Sequence, residues 1–362
     1  MKKLLFLSVA ATLISSLSFA TIRRVGYGGI AVTGVDYSDV QTANDAATAG
    51  DTLQIYGSVG GGTIDRKLVI LGFGYNTDNN TGLQANQADE PSHCGNIYFT
   101  KGSNGSQVSG CAGSFYVYDQ SGTNAAISNI TFFRCKGAFY LYNNIAYGPI
   151  SNINIFSSVV SAGGMVWSGS TDYAVTNVNL FNCILQSDFN MYKPGSSVFA
   201  QNCVSFSSSI SGGGYLNFND AGGLVKNCIL NSYGNTTNTI YQNNFFQSSA
   251  PSPALLGSNN LFSQNFATIF TRNGRADDQA SYAGFAEFDE DYWVLKTGSP
   301  AIGAGISGTG TATDCGIYGG DAATKYKLSG IPAIPAIYQL TAPALSTSTN
   351  PYNVTISVRS NN

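Results

Sequence analysis

"ISNITFFRC", residues 127–135, is followed by "ISNINIFSS" at 150–158 and "VTNVNLFNC" at 175–183, and the three align without a gap. Their asparagines, Asn129, Asn152 and Asn177, stand 23 and 25 residues apart. A cysteine column keeps the beat, with 20 residues from Cys183 to Cys203 and 25 from there to Cys228. A third column spaces Phe115 and Phe139 by 24 residues, Met165 and Phe189 by 24, and Tyr215 and Ile240 by 25. Such self-similarity marks a stack whose repeats bury apolar surface against their neighbours. Within each repeat, short alternating segments are bounded by Gly, Asn and Ser, as strands are. The pattern predicts an all-β solenoid, the parallel β-helix, with coils about 4.8 Å apart and equivalent residues in ladders. A leucine-rich repeat has a similar length, but its leucine and asparagine frame is missing. Stacked asparagines pair their side-chain amides along the axis, which accounts for the Asn columns without a ligand.

Alternation within the strands assigns faces. In "GAFYLYNN", residues 137–144, Phe139 and Leu141 share one side while Tyr140 and Tyr142 share the other; related phrases are "GSFYVYD" at 113–119 and "GGYLNFND" at 213–220. Successive side chains point to opposite faces, so Phe115, Val117, Phe139, Leu141, Phe189 and Met191 are expected inside, with Met165 and Trp167. Tyr116, Tyr118, Tyr140, Tyr142, Tyr192, Phe218 and Tyr241 are expected outside, stacked by coil into an aromatic stripe that Val166, Ser168 and Asn190 interrupt. Rings with a polar edge suit the apolar faces of sugars, and a straight stripe suits a linear glycan. These seven residues are therefore the candidate carbohydrate-binding site. A stabilising cross-coil ladder, or a face covered by the C-terminal segment, would explain the same rings without a ligand.

Composition narrows the partners. Glycine is abundant at 42 residues, yet 43% of residues are apolar and 12% aromatic, too many for a solvated coil. Only 10% are charged and the formal net charge is −3, so the field that attracts nucleic acid is absent and no nucleic-acid partner is predicted. "MKKLLFLSVAATLISSLSFA", residues 1–20, has two lysines, an apolar run and small residues at Ser18 and Ala20, the features of a secretory signal peptide. The mature chain is expected to start at Thr21 and to reside outside the cytoplasm: extracellular, at the cell surface or in the periplasm. No later segment reaches the 18 to 20 apolar residues of a membrane helix, so no transmembrane segment is predicted.

Seven cysteines in an exported chain raise the question of disulfides. Cys94 and Cys111 flank a polar, Gly-rich loop and are the pair to expect if any bridge exists. Cys135, Cys183, Cys203 and Cys228 recur in similar phrases and read as a small buried position. His93 is the only histidine, and no close Cys/His clustering favours zinc.

The ends of a stack must be covered. In "DYSDVQTANDAATAGDTLQIYG", residues 36–57, Ser38 can N-cap a short helix with an apolar stripe of Val40, Ala43, Ala46 and Ala47, and Gly50 ends it. With Gly50-Asp51-Thr52 after that helix, "DYWVLKTGSPAIGAG" at 291–305 and "DCGIYGG" at 314–320, the chain resembles the pectate-lyase-like superfamily of right-handed parallel β-helices. The resemblance implies a right-handed solenoid over residues 21–320 with an N-terminal capping helix, and a last coil formed by the 291–305 and 314–320 phrases. After Gly320, prolines at 332, 335 and 343 disfavour strand pairing. Residues 321–362 are expected to form a short appendage with one alternating strand carrying Val354, Ile356 and Val358.

The superfamily includes lyases, hydrolases, tailspikes and adhesins, so fold leaves activity open. A glycoside hydrolase needs flanking carboxylates; Asp277 and Asp278 are the only adjacent aspartates and lack the hydrolase companions. A lyase acting on uronic-acid polymers needs a base and a group that neutralises the sugar carboxylate. Arg134 and Lys136, expected on one side of an inward Cys135, or Lys193, would be its cations. The acidic run Glu287, Asp289, Glu290 and Asp291 precedes the last-coil phrase and reads as an acidic turn rather than a calcium site. No metal, cofactor or catalytic residue is assigned. The reading that results is an exported, non-catalytic β-helix binding a polysaccharide or cell-surface partner through its aromatic stripe. A polysaccharide lyase and a structural envelope or adhesive protein are the alternatives.

Overall fold

Period-2 apolar patterning at each repeat produces short strands that the chain lays alternately into two long sheets. The computed structural model describes residues 20–26, 36–75, 91–166, 172–205, 216–218, 222–234, 237–271, 293–327, 330–331, 335–341 and 354–360. The first sheet has 11 strands, from Ile22–Gly26 through Ile127–Phe133, Ile150–Phe156 and Val175–Phe181 to Leu256–Ser258. The second runs from Gly62–Ile64 through His93–Phe99, Ala112–Val117, Lys136–Leu141 and Val159–Val166 to Phe245–Phe246. Neighbouring strands pair in parallel, each with the strand one repeat away. The chain is thus mostly β, with a parallel-sheet repeat compatible with a β-helix-like solenoid.

In the first sheet, Phe132, Ile155, Leu180, Ala200, Val225 and Tyr241 stand in register and are fully buried. In the second, Phe115, Val117, Phe139, Leu141, Phe189 and Met191 fill the same core, as alternation requires. The Met165 side chain and Trp167 lie outside the described residues.

The asparagine column has a backbone cause as well as the expected amide ladder. Asn129, Asn152 and Asn177 have φ of 60°, 55° and 57°, and pairing skips them, passing from Ser128↔Ser151 to Ile130↔Ile153. Asn tolerates this left-handed conformation better than other non-glycine residues. Asn177 Nδ2 also donates to Asn152 Oδ1 at 3.0 Å. A second left-handed column, Arg134, Ser157, Asn182, Asn202 and Asn227, turns the chain from the first sheet into the second. The next residue points inward, and Cys135, Cys183, Cys203 and Cys228 are all fully buried there, with Ser158 at the same place. Cys94 and Cys111 are buried too and unbridged, with the Cys111 thiol donating to the Ser109 carbonyl at 3.6 Å.

The phrases expected to form a last coil do something else. Gly305–Ile306 and Ala312–Thr313 make a small antiparallel pair, and residues 306–327 and 330–331 run back along the corner as a strap. Each corner side chain donates to a strap carbonyl. Asn227 reaches Ile306 at 2.9 Å, Asn202 reaches Asp314 at 2.9 Å, and Asn182 reaches Ile317 and Gly319, both at 2.8 Å. Ser157 reaches Thr324 and Lys325, and Arg134 reaches Ile331 at 2.6 Å. The strap's Ala301 approach and its Cys315, Ile317 and Tyr326 bury a second apolar cluster with Val159, Ile184, Val204 and Ile229 on the outer side of the second sheet. Small and apolar residues in "SPAIG" and "CGIYGG" serve this packing instead of a coil.

The N-terminal helix spans Val40–Ala46, but Asp39, not Ser38, is its N-cap, its carboxylate accepting from the Thr42 amide at 2.8 Å. Ala46 is exposed, and Asn44 takes the inward place, donating to Asp65 Oδ1 at 3.0 Å. A carboxylate makes a stronger, charge-assisted cap than a hydroxyl. Asp51 is fully buried and accepts from the Thr21 and Thr48 amides and from Arg23 Nε, fastening Ile22–Gly26 beside Thr52–Tyr56. In the appendage, the proline segment supplies a partner: Pro335–Thr341 pairs antiparallel with Thr355–Ser360. Pro335 stands first in its strand, where proline is tolerated. No helix among the described residues is long and apolar enough to cross a membrane.

Candidate functional site

Strand Lys136–Leu141 and its neighbours place tyrosines on the outer side of the second sheet. Tyr98, Tyr116 and Tyr140 are in register on three successive strands. Their rings stack, with centroids 4.8 Å apart at 20° for the first pair and 4.9 Å at 29° for the second. Tyr142 lies parallel to Tyr140 within 2°, centroids 6.0 Å apart. Tyr118 meets Tyr142 edge-on at 5.2 Å and lies tilted at 59° to Tyr147, with centroids 4.8 Å apart. Six rings thus form one half-exposed cluster. Burial holds the phenols of Tyr116, Tyr118 and Tyr142 above their ordinary range, and the neighbouring phenols add to it.

Four of the seven expected site residues, Tyr116, Tyr118, Tyr140 and Tyr142, come together here. Tyr192 is two coils away, its hydroxyl donating to Asn190 Oδ1 at 2.8 Å. Phe218 and Tyr241 are corrections, because both are fully buried. Leu216 pairs with Phe189, so Phe218 follows Met191 into the core. Tyr241 belongs to the first sheet opposite Val225, and it is Ile240 that faces out. Tyr98 and Tyr147 were not expected. Tyr98 sits in "GNIYF" with the frame of "GSFYV", but 18 residues before Tyr116 instead of 24. Tyr147 comes from a loop, where strand periodicity gives no signal.

The stripe is consequently a patch of three coils. Opposite Tyr140 in the next strand stands Gly164, which has no side chain to lay over the ring. Among the described residues the Tyr140 ring therefore ends the stack, and Tyr142 lies parallel beside it to make a two-ring platform.

A groove of about 610 Å³ continues from this platform along the same outer face, lined by His93, Ser114, Lys136, Ala138, Ser161 and Gln186 among others. Outward positions on one strand follow each other as Lys136, Ala138 and Tyr140. The first and last are about 13 Å apart along the strand, near the length of two sugar units. Gln186 is only 5% exposed, and its Nε2 has no hydrogen-bond partner among the described residues.

The cations of the lyase reading are not side by side. Arg134 is 2% exposed, stacked on the Phe133 ring at 4.6 Å and hydrogen-bonded to the strap, and burial pulls its guanidinium down to about 10. The corner turn separates it from Lys136, which follows the inward Cys135 into the second sheet. Lys193 lies beyond Tyr192 and outside the groove lining. Among the described residues no group of three or more His, Cys, Asp or Glu side chains could hold a metal ion. Asp277, Asp278 and the acidic run from Glu287 to Asp291 lie outside the described residues, as do residues 1–19. No protein-family model matches the chain, and no curated protein or solved structure matches it.

Proposed function

We propose that this is an exported, right-handed parallel β-helix of pectate-lyase-like type, capped by the helix Val40–Ala46, which binds a linear glycan without cleaving it. The observation that carries the reading is the platform of Tyr140 and Tyr142, two parallel rings at the end of the Tyr98–Tyr116–Tyr140 stack. Within the stack, each ring covers its neighbour's face and presents an edge and a hydroxyl. Only the terminal rings offer a flat apolar face of the kind a pyranose covers. The groove beyond Ala138 extends that surface in the strand direction, so a chain of sugars would cross the coils' edge at the platform. The lyase alternative is weakened by Arg134, whose guanidinium is engaged beneath the strap.

The deciding experiment is the size-exclusion profile of labelled neutral and acidic polysaccharides incubated with the mature protein. A shift to larger size with the polymer length unchanged is expected. Products of lower size would overturn the non-catalytic reading, and no shift across the panel would overturn binding.

A further inference from the structure

The first sheet carries an outer surface that the platform on the second sheet does not use. Phe133, Phe156 and Phe181 stand in register on three successive strands, pointing away from the core. Phe181 meets Phe199 of the next strand edge-on, with centroids 5.0 Å apart. From there Phe199, Leu224, Ile240 and Leu256 continue in register to the last strand. These residues make one apolar strip across seven strands, from Ile127–Phe133 to Leu256–Ser258, about 29 Å long at about 4.8 Å per step. Stacking of Phe156 on Phe181 uses part of the surface within the chain, whereas Ile240 is 44% and Leu256 46% exposed. A contiguous apolar strip left in water marks an interface.

Charge and size select a second copy of this chain as its cover. The outward positions of these seven strands hold a single ionisable side chain, Lys226, among Asn, Gln, Ser, Thr and Gly. The face therefore offers little to a charged partner and little like-charge repulsion to its own copy. Seven strands of about five residues give a face of roughly 34 by 17 Å. Two copies would bury about 1,150 Å², above the roughly 1,000 Å² that a specific interface needs. A two-fold axis through Phe199, on the middle strand of the seven, lays the strip end for end on its copy, the Phe133 end of one on the Leu256 end of the other. Arg134, against the Phe133 ring at 4.6 Å, bounds the strip at that end.

We propose that the chain pairs with a second copy of itself through this face, as a two-fold dimer with Phe199 at the axis. The pairing is independent of the glycan reading and does not involve the tyrosine platform.

The test is sedimentation velocity of the full mature chain over a range of protein concentrations, and a monomer–dimer equilibrium is expected. Ile240→Glu and, separately, Phe199→Glu put a charge into the strip and should raise the dissociation constant by about tenfold or more, with thermal melts to check that each variant folds. Phe199→Cys should give a disulfide-linked dimer under air oxidation, because two copies of an axial residue lie side by side. Ser128→Cys, outside the strip, should not. The cysteine pair reads the interface even where a glutamate variant fails to fold. A monomer at every concentration overturns the proposal, whether another segment of this chain covers the strip or nothing does. A dimer that keeps its affinity in both glutamate variants also overturns it and moves the interface elsewhere. Cross-linking of Ser128→Cys without Phe199→Cys overturns the axis.

Discussion

Arg134 donates from its Nη1 to the carbonyl of Ile331 at 2.6 Å, joining residues 197 positions apart and fastening the far end of the strap. The same corner column holds the strap at Ser157, Asn182, Asn202 and Asn227, so these positions must combine a left-handed backbone with a donor side chain. Asn182 lets the two demands be separated. Asn182→Gly keeps the φ of 54° accessible but removes both donors, and should cost about 1–3 kcal/mol. Asn182→Ala should cost about 1–2 kcal/mol more, because alanine is strained there. Urea denaturation of the two variants checks this; equal losses would mean that the backbone conformation is not limiting.

The platform predicts an uneven pattern among the tyrosines. Tyr140→Ala with Tyr142→Ala should weaken glycan binding by about tenfold or more, as loss of a central aromatic anchor does. Tyr192→Ala, two coils away, should leave it unchanged. Stability should respond differently: Tyr116 has a stacked neighbour on each side, at about 0.5–1.5 kcal/mol per pair, so Tyr116→Ala should destabilise more than Tyr140→Ala. Binding isotherms and thermal melts on the same variants measure both.

How far this was legible depends on what each residue's period encodes. Repeat spacing and alternation carried the two parallel sheets, the inward Phe115 to Met191 set and the four central tyrosines, because ladders repeat one environment many times. Phe218 differs because coil length changes there: a shift of one residue reverses every face, and composition does not reveal it; Tyr241 differs because its strand belongs to the first sheet, where its side chain faces the core. The strap was hidden for a different reason. Its residues pair through corner side chains to backbone carbonyls, which leave no periodic trace in residues 306–331, although the Asn, Ser and Arg of the corner column are visible in hindsight as donors. Gln186 and Lys136 were likewise ordinary polar residues until the fold put them in one groove.

The cysteines offer a chemical check on the buried ladder. All seven are buried and unbridged, and burial pushes the Cys135 and Cys315 thiols up to about 12. At Cys203 burial is outweighed by bonds from Cys183 and Cys228, which pull the thiol the other way, but an alkylating reagent must also reach the sulfur. With all seven buried, the native protein should resist alkylation at neutral pH and all seven thiols should react after unfolding without reductant. Mass spectrometry counts the adducts. Five instead of seven, with Cys94 and Cys111 unmodified, would show that this adjacent pair oxidises.

Asp119 ties the tyrosine cluster to pH. Its buried carboxylate accepts from the amides of Ser121 and Ala125 and from the hydroxyls of Thr100, Ser121 and Thr123, and its own amide donates to the Tyr147 carbonyl. Burial alone would raise its pKa, but the bonds from Ser121, Ala125 and Thr123 outweigh it and hold the group well below the usual carboxylate range. A depressed folded pKa means that this stabilisation is full above the unfolded value near 3.8 and is lost as pH falls through the folded value. Asp119→Asn should therefore destabilise the protein at pH 7, and the gap from the parent should narrow by about 1 kcal/mol at pH 3, where the unfolded parent already takes up the proton. Urea melts at the two pH values decide it. Because Tyr118 and Tyr147 flank this loop, glycan binding by the variant should weaken alongside stability, whereas a constant gap would mean that the charge of Asp119 does not hold the loop.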